Sequence, residues 1–202
     1  SFGSPVVFEN AASYDVSATY DSTAAKVVIA YRDGGNSTYG TAIVGTVSGT
    51  SISFGSAVVF ESAASYSPSA TYDSTAAKVV IAYRDEGNGS YGTAIVGTVS
   101  GTSISFGGAT VFESAYSDAM STTYDSANGK VVVAYNDNGN SQYGTAVVGT
   151  VSGTSISFGS ATVFESGNTG NIFATYDSAN GKVIFSYRDG GNSNYGTAVV
   201  GT

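Results

Sequence analysis

The residues of this chain with chemistry to offer return in a fixed pattern. Arg32, Asp33, Asn36 and Tyr39 stand in the stretch YRDGGNSTY, and their counterparts are Arg84, Asp85 and Asn88, then Asp137 and Asn140, then Arg188, Asp189 and Asn192. In the third copy Asn136 replaces the arginine. A second, less regular set comprises Tyr14, Asp15, Tyr66, Tyr116 and Asp118. Carboxylates and amides hydrogen-bond hydroxyl groups, guanidinium adds charged donors, and a tyrosine ring offers an apolar face to C–H bonds. Together they form an expected ligand set suited to a sugar.

The same residues have plainer uses. Asp33 and Asn36 can cap their own loop by accepting bonds from nearby backbone N–H groups. Arg32 is expected to pair with Glu9, and the third copy tests the pair because Asn136 stands there while Glu113 is kept. Asp21 and Lys26 bracket a turn in every copy and read as a surface ion pair. Tyr31, Tyr83, Tyr135 and Tyr187 read as core. The DGGNS loop lacks the acidic ladder and bidentate glutamate of a calcium loop, so neither a metal nor a cofactor is expected.

Catalysis is not expected either. The chain has no His and no Cys, which removes both the Ser-His-Asp triad and thiolate chemistry. A glycosidase needs two carboxylates in different environments. Here the acids recur with the repeat, except Asp15, Glu86 and Asp118 on expected loops.

The elements that carry these residues follow from one period. Phe2, Phe54, Phe106 and Phe158 are spaced by 52 residues, as are Tyr20, Tyr72, Tyr124 and Tyr176. Such a period marks a repeat architecture, in which each unit buries its faces on its neighbours. The repeats run 9–60, 61–112, 113–164 and 165–202, the last completed by 1–8, in one domain over 1–202. A chain opening at Ser1 partway through a repeat reads as an excised or processed piece.

Within one repeat, the variable segment NAASYDVS is rich in turn formers and reads as a loop. Ser17 to Asp21 is a short strand, followed by a turn that becomes SANG in the last two copies, a strong hairpin signal. Lys26 to Asp33 is a second strand with Val27, Ile29 and Tyr31 on one face and Val28 and Ala30 on the other, so both faces are expected to be covered. Tyr39 to Val47 is a third, and Ser48-Gly49 turns into a fourth, Ser51 to Phe60, placing Ile43 opposite Phe54.

A four-stranded antiparallel meander that is apolar on both faces is stable when sheets stack on either side, which is the logic of a propeller blade. The chain resembles the β-propeller superfamily along its whole length, especially the regular tandem propellers of microbial and viral surface proteins and propeller lectins. It carries neither the Gly-His and Trp-Asp marks of WD repeats nor the Asp-box or kelch tryptophan. The resemblance implies an all-β propeller of four blades, its ring closed by residues 2–8 pairing with the strands of 173–201. The alternative is half of an eight-bladed ring built from two chains, so a monomer and a homodimer both stay open. It also implies a rigid disc that binds a partner on one face.

Alternating strand directions put the variable segment and the strand-two loop on the same side, where the copies differ most. Loops on a rigid scaffold carry recognition, and repeated sites add avidity against a repetitive target. The expected function is therefore a non-enzymatic recognition module for a glycan or cell-surface ligand. The alternative is a structural spacer of a fibre or surface protein. A net charge of −8, with 7 basic residues spread along the chain, excludes a nucleic-acid footprint. No run of about 18 apolar residues predicts membrane insertion. The acidic, Ser/Thr/Gly-rich composition fits an extracellular or virion surface.

Overall fold

The computed structural model describes residues 1–202 and is all-β. Strands β1 (Ser13–Asp21), β2 (Lys26–Asp33), β3 (Tyr39–Ser48) and β4 (Ser51–Phe54) are followed by β5 (Val58–Asp73), β6 (Lys78–Asp85), β7 (Tyr91–Ser100) and β8 (Ser103–Phe106). Next come β9 (Thr110–Asp125), β10 (Lys130–Asp137), β11 (Tyr143–Ser152) and β12 (Ser155–Phe158), then β13 (Thr162–Asp177), β14 (Lys182–Asp189) and β15 (Tyr195–Gly201). The pairings are antiparallel, and the path from β1 to β15 is open, with β4, β8 and β12 attached to β3, β7 and β11. No helix is long and apolar enough to cross a membrane.

Consecutive repeats are joined by strands that change partners midway. Val58 of β5 pairs with Ala42 and Glu61 with Gly40 on β3; from Ser65 onward the same strand pairs with β6. β9 and β13 do likewise. In the second to fourth copies the variable segment expected as a loop is therefore strand, because both neighbours in turn satisfy its backbone groups, whereas in the first copy the strand begins at Ser13 and pairs with β2 alone. A bulge lies at the same place in every copy, at Asp15, Ser67, Ala119 and Asn171, each with φ near the left-handed region at 51°, 50°, 49° and 50°. Such a bulge bends the strand and re-aims its side chains.

Two further expectations shift. Ser48 pairs with Ser51, so Gly49-Thr50 make the turn and Gly45, not Ile43, lies opposite Phe54. The displacement is two residues, which keeps every side chain on its face. Asp21 and Lys26 do face each other in register, but they form no ion pair. The Asp21 carboxylate instead accepts from the N–H groups of Thr23 and Ala24, each at 2.9 Å, and holds the turn.

The core lies between adjacent sheets. Val28, Ala30 and Tyr31 are fully buried, and so are Val79 to Tyr83 without a break, as expected for strands covered on both faces. Phe60 sits edge-on to Tyr83, with centroids 5.1 Å apart, over the bare backbone of Gly40; a Cβ there would lie 2.3 Å from the ring. Strands β1, β5, β9 and β13 lie side by side and line a common cavity of about 530 Å³. Serine hydroxyls stitch them, with Ser17, Ser69 and Ser121 accepting from the amides of Ala70, Thr122 and Ala174 at 3.0, 2.9 and 2.9 Å.

The expected ring closure is not formed. Residues 1–8 form no strand, and β15 pairs with β14 alone. The amino-terminal segment lies instead against the first sheet: Phe8 packs on Tyr31 and Phe54, at 5.2 and 5.9 Å, as Phe60 packs on Tyr83 and Phe106. The fourth sheet also lacks a stitch. Phe173, strongly exposed, occupies the position of Ser17, Ser69 and Ser121 and has no oxygen to accept a neighbour's amide.

Candidate functional site

The handover strands and the strand-two loops come together on one side, where Gly34 donates its N–H to the Ala12 carbonyl at 2.8 Å and Gly190 to that of Asn168 at 2.7 Å. The bulge then turns the side chain before it toward the neighbouring arginine. Tyr14, Arg32, Tyr66, Arg84 and Tyr116 form a stacked row across the first three repeats. The Arg32 guanidinium carbon is 4.5 Å from the Tyr14 ring centroid and 4.3 Å from that of Tyr66; Arg84 lies 4.3 Å from Tyr66 and 4.5 Å from Tyr116.

Acids complete the row. Arg32 pairs with Asp15 at 3.0 Å, and Arg84 with Glu86 at 2.9 Å and Asp118 at 3.2 Å. Arg84 also donates to the Tyr116 hydroxyl at 2.6 Å. Stacked guanidinium contributes about 0.5–1 kcal/mol per ring when exposed and about 2 when desolvated. Seven of the expected ligand residues thus use their polar and aromatic groups on one another. The expected Arg32–Glu9 pair is absent: Glu9 accepts instead from the Tyr31 hydroxyl at 3.2 Å. Glu61, Glu113 and Glu165 take the same bond from Tyr83, Tyr135 and Tyr187, which explains why Glu113 persists where arginine is lost.

The loop acids cap. Asp33 and Asp85 accept from the N–H of Gly35 and Gly87, each at 2.9 Å, Asp137 from Asn140 at 3.1 Å, and Asp189 from Asn192 at 3.0 Å. Asn36 contributes backbone, with its carbonyl accepting from Tyr39 at 3.0 Å. The side chains of Asn36, Asn88, Asn140 and Asn192 face solvent, and Tyr39 is half-buried. Burial pushes the Asp85 carboxyl above its ordinary range, against the pull of its bonds from Gly87 and Asn88. Burial does the same to Glu61, with the Asp85 charge adding to it.

The row stops at the third repeat. Asn136 is too short to stack and donates instead to the carbonyls of Gln142 at 3.0 Å and Thr169 at 2.5 Å. Gly170 stands where Tyr14 and Tyr66 stand, and Asn138 where Glu86 stands. These exchanges leave a polar cavity of about 420 Å³ between the third and fourth repeats, walled by Tyr116, Asn138, Gln142, Asn168 and Arg188 among others. The Asn168 amide donates to the Gln142 side chain on its rim. Thr169, also in the wall, is buried, and its hydroxyl has no hydrogen-bond partner. Sequence reasoning missed Asn138, Gln142, Asn168 and Thr169; the signal was that they depart from the repeat on the face where the other copies hold the row.

No protein-family model matches the chain, and no curated protein matches it.

Proposed function

We propose that the chain is a β-propeller-type recognition module that binds carbohydrate on the face carrying the handover strands. Four successive sheets, each contributing its first strand to a shared central cavity, support the propeller reading. The observation that carries the function is the amide-lined cavity between the third and fourth repeats. Amide side chains both donate and accept, as paired sugar hydroxyls require, and Tyr116 adds a ring for the C–H face. The first three repeats spend these groups on internal stacking, so recognition is concentrated in this one gap and is not shared equally among four copies.

Catalysis has no part in this reading. The acids of the face cap loops, neutralise arginines or accept from buried tyrosine hydroxyls. An extracellular or virion-surface setting fits such a module.

Binding to an immobilised panel of oligosaccharides, followed by isothermal titration of the best hit, tests the proposal. Saturable binding that is lost on Asn168→Ala or Gln142→Ala supports it. A full panel without binding overturns it.

A further inference from the structure

We infer that the cavity between the third and fourth repeats selects an acidic sugar, one bearing a carboxylate, with Arg188 as the residue that reads the charge. This rests on the carbohydrate reading above and names its ligand class.

Arg32 and Arg84 are each neutralised by acids at 2.9–3.2 Å and covered on both faces by tyrosine. Arg188 occupies the equivalent position in the fourth repeat, is exposed, and has no acidic partner; its one side-chain bond goes to the Asn194 amide oxygen at 2.7 Å. The acids that served its counterparts from within their own repeats have been exchanged. Asn171 stands in the place of Asp15, and Gly190 in the place of Glu86. The nearest acid in the cavity wall, Asp118, is already held by Arg84 and by the Ser67 hydroxyl at 2.8 Å. Asp189 is used by its loop.

The cavity thus offers a planar charged donor with capacity to spare, in a protein of net charge −8. A guanidinium recognises a carboxylate through two parallel bonds, which a neutral hydroxyl cannot match. Asn138, Gln142 and Asn168 supply the hydroxyl contacts. Carboxylate and hydroxyls on one small ring are the groups of a uronic or sialic acid.

The test uses the full 202-residue chain and two matched probes, a glucuronic-acid-terminated oligosaccharide and its glucose-terminated counterpart, titrated against wild type, Arg188→Gln and Arg32→Gln. The expected result is tighter binding of the acidic probe, weakened about tenfold or more by Arg188→Gln, with the neutral probe changed little. Equal binding of both probes, unaffected by Arg188→Gln, overturns the charge reading and leaves the carbohydrate reading standing. Loss on Arg32→Gln but not on Arg188→Gln overturns the assignment to this cavity. Binding of neither probe overturns the present inference, and the oligosaccharide panel decides whether the broader reading falls with it. Because Arg188 is exposed and unpaired, its variant keeps the wild-type melting temperature, so lost binding is not lost folding.

Discussion

Tyr83 donates its hydroxyl to the Glu61 carboxylate at 3.2 Å, tying the core of one sheet to the strand that enters it. Tyr83→Phe removes the donor and leaves a half-buried carboxylate short of a partner. The expected cost is about 1–2 kcal/mol, read as a lower urea midpoint. An unchanged midpoint would show that water replaces the bond at no cost.

Proton linkage gives that pair a pH signature. Glu61 and Asp85 have raised carboxyl ranges, so the stability they confer is fully present below their ordinary values of 4.5 and 3.8 and is lost as pH rises through the raised ones. Asp177 is held low by the Asn180 side chain, and Asp125 by Asn128 in spite of burial, so their contribution is lost as pH falls below 3.8. At the other end, burial and the glutamate bond push Tyr187 up to about 12 from 10.0, so its contribution is lost above pH 10. Melting temperature is therefore expected to be higher in mild acid than at neutral pH, and to fall above pH 10. A peak at pH 8 would contradict the assignment.

Arg84 is the better-anchored of the two stacked arginines, with side-chain exposure of 9% against 17% for Arg32. Arg84→Ala is expected to cost about 2–3 kcal/mol by uncovering two rings and freeing two acids. Arg188→Ala should cost nearly nothing. Chemical denaturation of the two variants side by side checks the contrast.

Glycine at one repeated position provides an internal control. A Cβ at Gly92 would lie 2.5 Å from the Phe112 ring, while one at Gly196 meets nothing within 4 Å. Gly92→Ala is expected to cost about 1–3 kcal/mol and Gly196→Ala to be neutral or mildly stabilising. Equal losses would mean that packing over this glycine is not what fixes it.

Completing the fourth sheet should stabilise the chain. Appending a copy of Val151 to Phe164 after Thr202 supplies the strand that β15 lacks and covers a cavity of about 700 Å³ beside Phe164, Phe185 and Val200. The melting temperature is expected to rise by several degrees. A fall, or aggregation, would show that the new strand does not pair with β15.

Much of this was legible in the repeat. The period fixed which residues are equivalent, and the two-sided apolar pattern of Lys26 to Asp33 correctly implied sheets on both faces. The variable segment was misread because Ser, Asn and Ala signal turns locally, whereas its backbone is satisfied by two different neighbours far along the chain. Closure was misread because period arithmetic identifies a matching strand but does not bring it to β15: Phe8 keeps the contacts of its counterpart Phe60, here with Tyr31 and Phe54, while residues 1–8 form no strand. Arg32, Tyr14 and Tyr66 were recognised as a set; that they would satisfy one another depends on a bulge with no sequence signature, since Asp15, Ser67, Ala119 and Asn171 share none.

The handover strands also bear on how such an array changes length. Because β5, β9 and β13 each belong half to one sheet and half to the next, duplicating or deleting one 52-residue period anywhere along the gene removes or adds matching halves together. Every junction is rebuilt from the same two half-strands, so the number of repeats can drift by recombination while each junction between sheets stays paired.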